Sequence, residues 1–227
     1  STRVRSSAAS DVYKRQPYES VYSYVGHLTP SQRVMLDTRR INTTLLTSIP
    51  SHVPVMDRPN PTALRKAIKN PVEIANMKQA HLADGIALTR FMYWLKTNIG
   101  KIPMTEISAS DYLEARRREQ DNFIELSFNT ICAYGANAAM MHYAATPESD
   151  AELKPEVFLL VDSGGHYFEG TTDITRTMAL GPITDEMRLH FTTVCRSNMN
   201  LAHAKFLYGC TGSVSYTHLT LPTILRV

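Results

Sequence analysis

Nowhere in the 227 residues does an apolar run approach the roughly twenty needed to span a bilayer. The start of the sequence also has no signal-peptide core. Cysteine is scarce: Cys132, Cys195 and Cys210 are odd in number and have no metal-type spacing, so they read as reduced thiols in a cytoplasmic protein. Tryptophan occurs once, yet 43% of the residues are hydrophobic, enough to bury a core in one large domain or two small ones. A strong charge of one sign is missing as well. The formal charge is +3, but setting aside Arg3, Arg5, Asp11, Lys14, Arg15 and Arg226 near the two ends leaves 19 basic against 20 acidic residues, a net of −1. That balance excludes an extended nucleic-acid surface.

What the chain does contain is ordered punctuation. Residues 34–50 read as a short strand followed by a short helix, too little for a domain. Pro50, Pro54, Pro59 and Pro61 then mark a linker, with a boundary near residue 60. Asn70 as N-cap, Pro71 at the first helical position, Glu73 three after the cap and Gly100 past the end predict a helix of about 28 residues, roughly 42 Å long. Its expected buried stripe is Ile74, Met77, Ile86, Phe91, Trp94 and Leu95. A second helix is expected from Thr105 to Gln120, with Arg116, Arg117 and Arg118 as a solvated face. From Phe128 the sequence turns to β-type segments: SFNTICAY, AMMHYA, VFLLVDSG and ITRTMAL. A last helix, capped by Thr184, should pack back on the sheet. Helices followed by strands imply an α+β fold. His81, His190 and His203 lack any recurrent ligand spacing or HExxH pattern and read as structural, and His166 reads as a solvent-facing turn residue.

The segment Val161 to Thr177, VDSGGHYFEGTTDITRT, carries most of the chemistry. A hairpin centred near Tyr167 and Phe168 would set Asp162 and Asp173 at mirror positions, with their carboxylates side by side on one face. Two bare carboxylates that close repel, and a hard divalent cation between them removes the repulsion. On spacing alone, solvated turn aspartates are the commoner outcome.

The string DSGGHYFEGTTDITRT resembles the signature of the pita-bread metallopeptidases, and its doubled threonine with TRT is similar to the aminopeptidase P (Xaa-Pro aminopeptidase) branch. FIELSFNTICAYGANAAMMHYAATPE resembles a strand-loop-strand that ends in a substrate-facing His-Tyr pair. KAIKNPVEIANMKQAHLADGIALTRFMYWLK resembles the long helix that opens the catalytic domain. The resemblance runs from about Pro17 to Ser213. It implies a partial pita-bread catalytic domain over 61–213, preceded over 17–60 by the tail of a creatinase-like domain and its linker. The ends, 1–16 and 214–227, resemble reading frames that run into adapter sequence and are expected to be non-native; the other reading of VSYTHLTL is an edge strand.

By resemblance, Asp162 and Asp173 bind a metal pair and His142 donates a hydrogen bond to the substrate. Without that context, a lone histidine beside tyrosine in an apolar segment is more often a packed core residue. The resemblance implies metal-assisted release of the N-terminal residue from peptides with proline second, with Mn²⁺ as the first choice and Zn²⁺ or Co²⁺ as alternatives. It also implies a peptide substrate, no nucleic-acid or membrane partner, a cytoplasmic location and a homodimeric full-length enzyme. Prolidase, creatinase and a non-catalytic pita-bread module are the other readings. The family site uses five ligands, and its GTGHG-type histidine and two later glutamates do not occur after Asp173. With two ligands of five, the chain is expected to be an inactive fragment.

Overall fold

The computed structural model describes residues 16–207 together with Cys210 and Gly212. The expected non-native tails at 1–16 and 214–227 lie outside these residues, apart from Gln16. Two compact units divide between Asn70 and Pro71, ten residues beyond the expected linker boundary.

The first unit contains α1 (Ser20–Gly26), β1 (Val34–Leu36), α2 (Thr43–Ser48), β2 (Val55–Asp57) and α3 (Pro61–Ala67). The strand and helix expected over 34–50 are present as β1 and α2. Strands β1 and β2 pair in parallel, Val34 with Val55 through Leu36 with Asp57. The Thr38 backbone N–H and hydroxyl both donate to the Asp57 carboxylate, at 3.0 and 2.7 Å, closing the two strands at one end. Part of the proline cluster starts a helix instead of breaking one. Pro61 takes the first position of α3, where its missing N–H costs nothing, and the Asn60 side chain accepts from Thr62 N as the cap.

The second unit opens with α4 (Pro71–Asn98), the predicted 28-residue helix, followed by α5 (Glu106–Arg118). Thr105 and Ser108 form a reciprocal capping box at the start of α5. The buried stripe of α4 is Ala80, Asp84, Ala87, Leu88, Phe91 and Leu95. Phe91 and Leu95 are as expected and Trp94 packs against the core, but Ile74, Met77 and Ile86 are exposed. Ile74 and Met77 precede the covered stretch, and Ile86 points about 200° around the helix from both Asp84 and Leu88. Trp94 stacks on Tyr112 of α5 with ring centroids 3.8 Å apart, and the Arg116 guanidinium caps that ring at 4.7 Å.

Two three-stranded antiparallel sheets follow. In one, β4 (Ile131–Tyr134), β5 (Phe158–Ser163) and β8 (Ile174–Ala179) lie in that order; in the other, the order is β3 (Phe123–Leu126), β6 (Gly165–Tyr167), β7 (Gly170–Thr171). In β5, Leu159, Val161 and Ser163 point to one face, and all three are buried. That face, with Cys132 and Met178, packs against Leu88, Phe91 and Leu95 of α4 and Leu113 of α5 to make the core. Phe158, Leu160 and Asp162 point to the other face.

Helix α6 (Asp185–His203) begins at the predicted cap, where Thr184 Oγ1 accepts from Met187 N at 3.1 Å. Its Phe191 stacks on Phe158 at 5.7 Å, which places it over the second sheet face. None of the α6 residues is fully buried.

AMMHYA is not a strand. Gly135–Ala139 forms a 3₁₀ turn, and Met140 to Ala144 continues as turn and coil. Gly135 has φ +54° and His142 φ +58°, a left-handed conformation that interrupts any extended run.

Candidate metal centre

The hairpin that carries the two aspartates is continuous in register from Phe158 to Ala179. Phe158 pairs with Ala179, Asp162 with Thr175 and Ser163 with Ile174; His166 pairs with Thr171 and Tyr167 with Gly170. The turn is therefore centred between Phe168 and Glu169, one residue later than expected. Asp162 faces Thr175 directly, and Asp173, two residues before Thr175 and just outside β8, is its diagonal neighbour by register. Such diagonal pairs are about 7–8 Å apart, within reach of carboxylate side chains. The mirror placement is thus corrected: Asp162 pairs with Thr175, two residues from Asp173.

At the level of Asp173 the hairpin passes from one sheet into the other. A Cβ on Gly164 would stand 2.0 Å from the Thr172 carbonyl oxygen and 2.4 Å from Ser127 Oγ, so only glycine fits. Ser127 closes the crossing by donating twice: its N–H to the Gly164 carbonyl at 3.2 Å and its hydroxyl to the Thr172 carbonyl at 3.0 Å. Gly165 N donates to Thr172 Oγ1 at 2.9 Å, so a side chain replaces a backbone acceptor there.

Asp162 is half-buried, and its Oδ1 is buried with no hydrogen-bond partner. Asp173 is exposed. Among the described residues neither carboxylate takes part in an ion pair. An orphaned buried carboxylate oxygen with a second carboxylate two residues from its cross-strand partner fits a bound hard cation, which would supply the missing partner. No group of three or more His, Cys, Asp or Glu side chains that could hold an ion exists among the described residues. A cavity of about 710 Å³ opens beside Thr175, between Phe158 and Thr177 of the sheet and Phe191, Val194 and Met199 of α6.

His142 is exposed, on a loop that is otherwise firmly held. Glu106, the first residue of α5, is fully buried and collects four donor groups from that loop. Its Oε1 accepts from Tyr134 N at 2.6 Å and Asn137 Nδ2 at 3.0 Å; its Oε2 accepts from Tyr143 OH at 2.7 Å and Ala151 N at 3.2 Å. Tyr143 packs, as expected of it. Burial first, and then the Glu106 carboxylate, push its phenol above the ordinary tyrosine range against the opposing effect of Ser149. His166 lies in strand β6 and not in the turn, with Nδ1 2.8 Å from Thr171 Oγ1.

The arginine run does not behave as one face. Arg118 is exposed, but Arg117 is fully buried and pairs with Asp84. Nothing in the sequence reading anticipated the Asp84–Arg117 pair or the role of Glu106. A charged residue in step with Ala80, Ala87 and Leu88 on α4 was the available sign for the first; no comparable signal marks Glu106, since an acid in the first turn of a helix is ordinary.

Residues 75–218 match metallopeptidase family M24. The chain belongs to that family. This M24 chain is 41% identical over 155 residues to a probable Xaa-Pro aminopeptidase P of Chaetomium globosum, covering 67% of this chain and 25% of that protein. It is 35% identical over 212 residues to Xaa-Pro aminopeptidase 1 of Dictyostelium discoideum, covering 89% and 33%. Among solved structures it is similar to the X-prolyl aminopeptidase of Caenorhabditis elegans, described as a cytosolic enzyme with a di-nuclear active site. The TM-score there is 0.78 at 34% identity, over 87% of this chain and 33% of that one. The M24 chain thus spans a quarter to a third of the length of these relatives, and its fold is the corresponding part of the pita-bread fold.

Proposed function

We propose that this chain is part of a longer Xaa-Pro aminopeptidase, a two-metal enzyme that removes the first residue from peptides with proline second. The observation that carries this reading is the Asp162–Asp173 diagonal, with an orphaned Asp162 Oδ1, inside a chain that is similar to named Xaa-Pro aminopeptidases along most of its length. Asp162 and Asp173 are the ligands this chain contributes. When bound, the ions supply Lewis acidity for hydrolysis of the peptide bond. All the donors available here are hard oxygens, which favours Mn²⁺, with Zn²⁺ or Co²⁺ as alternatives.

His142 serves as hydrogen-bond donor to the substrate. Its exposure leaves the ring free to do so, and the Glu106 clamp fixes the two ends of the loop that presents it. The cavity beside Thr175 offers apolar walls from Phe158 and Phe191 on the same sheet face as the carboxylates. Three free cysteines and the cytosolic description of the C. elegans relative support a cytoplasmic location. No helix of the described residues is long and apolar enough to cross a membrane. A homodimer of the full-length enzyme follows from the resemblance and is checked by light scattering.

The chain by itself lacks the remaining ligands, and is inactive in this reading. Titration calorimetry with Mn²⁺ and an Arg-Pro-Pro cleavage assay test it directly. Weak binding and no turnover are expected from the 227-residue chain. Tight uptake of two ions with turnover would overturn the fragment reading.

A further inference from the structure

Asp84 and Arg117 form an ion pair in which both side chains are fully buried. Arg117 Nε donates to Asp84 Oδ1 at 2.6 Å and its Nη2 to Asp84 Oδ2 at 3.2 Å. The same Nη2 donates to Ser163 Oγ at 3.0 Å, and Tyr167 OH donates to Asp84 Oδ1 at 3.0 Å. One guanidinium on α5 is thereby joined to α4, to β5 and, through Asp84, to β6. Burial first, then the Asp84 carboxylate, drive the Tyr167 phenol far above its ordinary range, so it stays a donor.

As a stabilising device this cluster is poor. Buried ion pairs are commonly matched or exceeded by apolar residues of similar volume, and here the Arg117 Nη1 is buried without a partner as well. What the cluster controls is position. Ser163 directly follows Asp162, and side-chain alternation sends the two to opposite faces of β5. Holding Ser163 from below therefore fixes the orientation of Asp162 above. The need for it is local. The regular ladder ends at the Ser163–Ile174 pair, the hairpin changes sheet over the next two residues, and Asp173 lies in that gap. Tyr167 ties down the hairpin beyond the gap. A slip of one residue there would turn the carboxylates to the wrong face.

We propose that the Asp84–Arg117–Ser163–Tyr167 cluster is a positioning device for the metal ligands, with Arg117 as its hub, setting the Asp162–Asp173 geometry from the opposite side of the sheet. The inference rests on the reading of Asp162 and Asp173 as ligands. It is tested in the full-length protein by Mn²⁺ calorimetry alongside thermal unfolding of the metal-free form. Ser163→Ala, which leaves the ion pair in place, and the apolar double variant Asp84→Leu with Arg117→Met are compared with Asp162→Asn. Groups that orient ligands without touching the ion typically contribute ~10–100-fold to metal affinity, and a loss in that range is expected for both variants. The metal-free melting temperature should change by less than about 2 °C for Ser163→Ala. If the double variant does not fold, Ser163→Ala decides. Wild-type Mn²⁺ affinity in the folded variants, with affinity lost in Asp162→Asn, overturns the positioning role and leaves the metal reading intact. Wild-type affinity in Asp162→Asn overturns the metal reading itself, and the positioning role falls with it.

Discussion

Replacing Glu106 by glutamine should unfold the chain far more readily than the loss of one charge suggests. Glu106 is fully buried and acts only as an acceptor, toward two backbone N–H groups, one amide and one phenol. Glutamine keeps the shape but turns one oxygen into a donor. With its NH₂ at the Oε1 position it opposes Tyr134 N; at the Oε2 position it opposes Ala151 N. Asn137 can flip and the Tyr143 hydroxyl can rotate, but neither backbone N–H can adapt. At least one buried donor is then left unmade, at about 1–3 kcal/mol, and the remaining bonds lose their charge assistance. The sum is about 2–4 kcal/mol, equivalent to roughly 4–16 °C in melting temperature for a chain of this size. Tyr143→Phe removes one adaptable donor and should cost only about 1 kcal/mol. Urea unfolding, read as a change in midpoint at unchanged slope, measures both. Limited proteolysis between residues 135 and 150 should show the loop of His142 released in Glu106→Gln. A glutamine variant within about 0.5 kcal/mol of wild type, or one less costly than Tyr143→Phe, refutes the clamp.

Gly164→Ala places a methyl group 2.0 Å from the Thr172 carbonyl, and should destabilise by more than about 3 kcal/mol or prevent folding, as judged by circular dichroism and solubility. Burial, and then the nearby Glu106 and Asp150 carboxylates, push the Cys132 thiol up to about 12. A raised value means that the folded state holds its proton more tightly, so this stability is present below the ordinary thiol range and is lost as pH rises from about 9 toward 12. Urea midpoints should therefore fall over that window, less steeply in Cys132→Ala, and a thiol reagent at pH 8 should label the exposed Cys210 quickly and Cys132 only on unfolding. A full-length protein that cleaves dipeptides ending in proline but not Arg-Pro-Pro would be a prolidase, against the proposal.

Local signals carried the fold well where local chemistry decides it. The Thr105 cap of α5 and the Thr184 cap of α6 are side-chain to backbone bonds between residues three apart, and α4 begins at Pro71, where its sequence punctuation stands. The hairpin was legible from its glycine-containing turn, but its centre was not. Register there is set by the Gly164 crossing and the pairing of β3 with β6, and no short window contains either. AMMHYA reads as a β-type segment, yet Gly135 turns the chain and Glu106, some thirty to forty-five residues away in sequence, gathers four loop groups around one carboxylate. Tertiary hydrogen bonding overrode the local pattern. The arginine run shows the same limit on a smaller scale: Ala109, Leu113 and Arg117 recur every fourth residue, and all three are buried. Their spacing was visible, but that a guanidinium could sit there depended on Asp84 of a different helix. At the site, the placement of Asp162 and Asp173 on the two arms of one hairpin was readable; the diagonal offset and the support beneath Asp162 were not.

The most direct measurement is the number of Mn²⁺ ions bound per chain by the full-length protein, for wild type, Asp162→Asn and Asp173→Asn. Two ions per wild-type chain, with the pair lost in each variant, is the predicted result. Retention of two tightly bound ions when either aspartate is replaced would contradict the assignment of Asp162 and Asp173 as ligands.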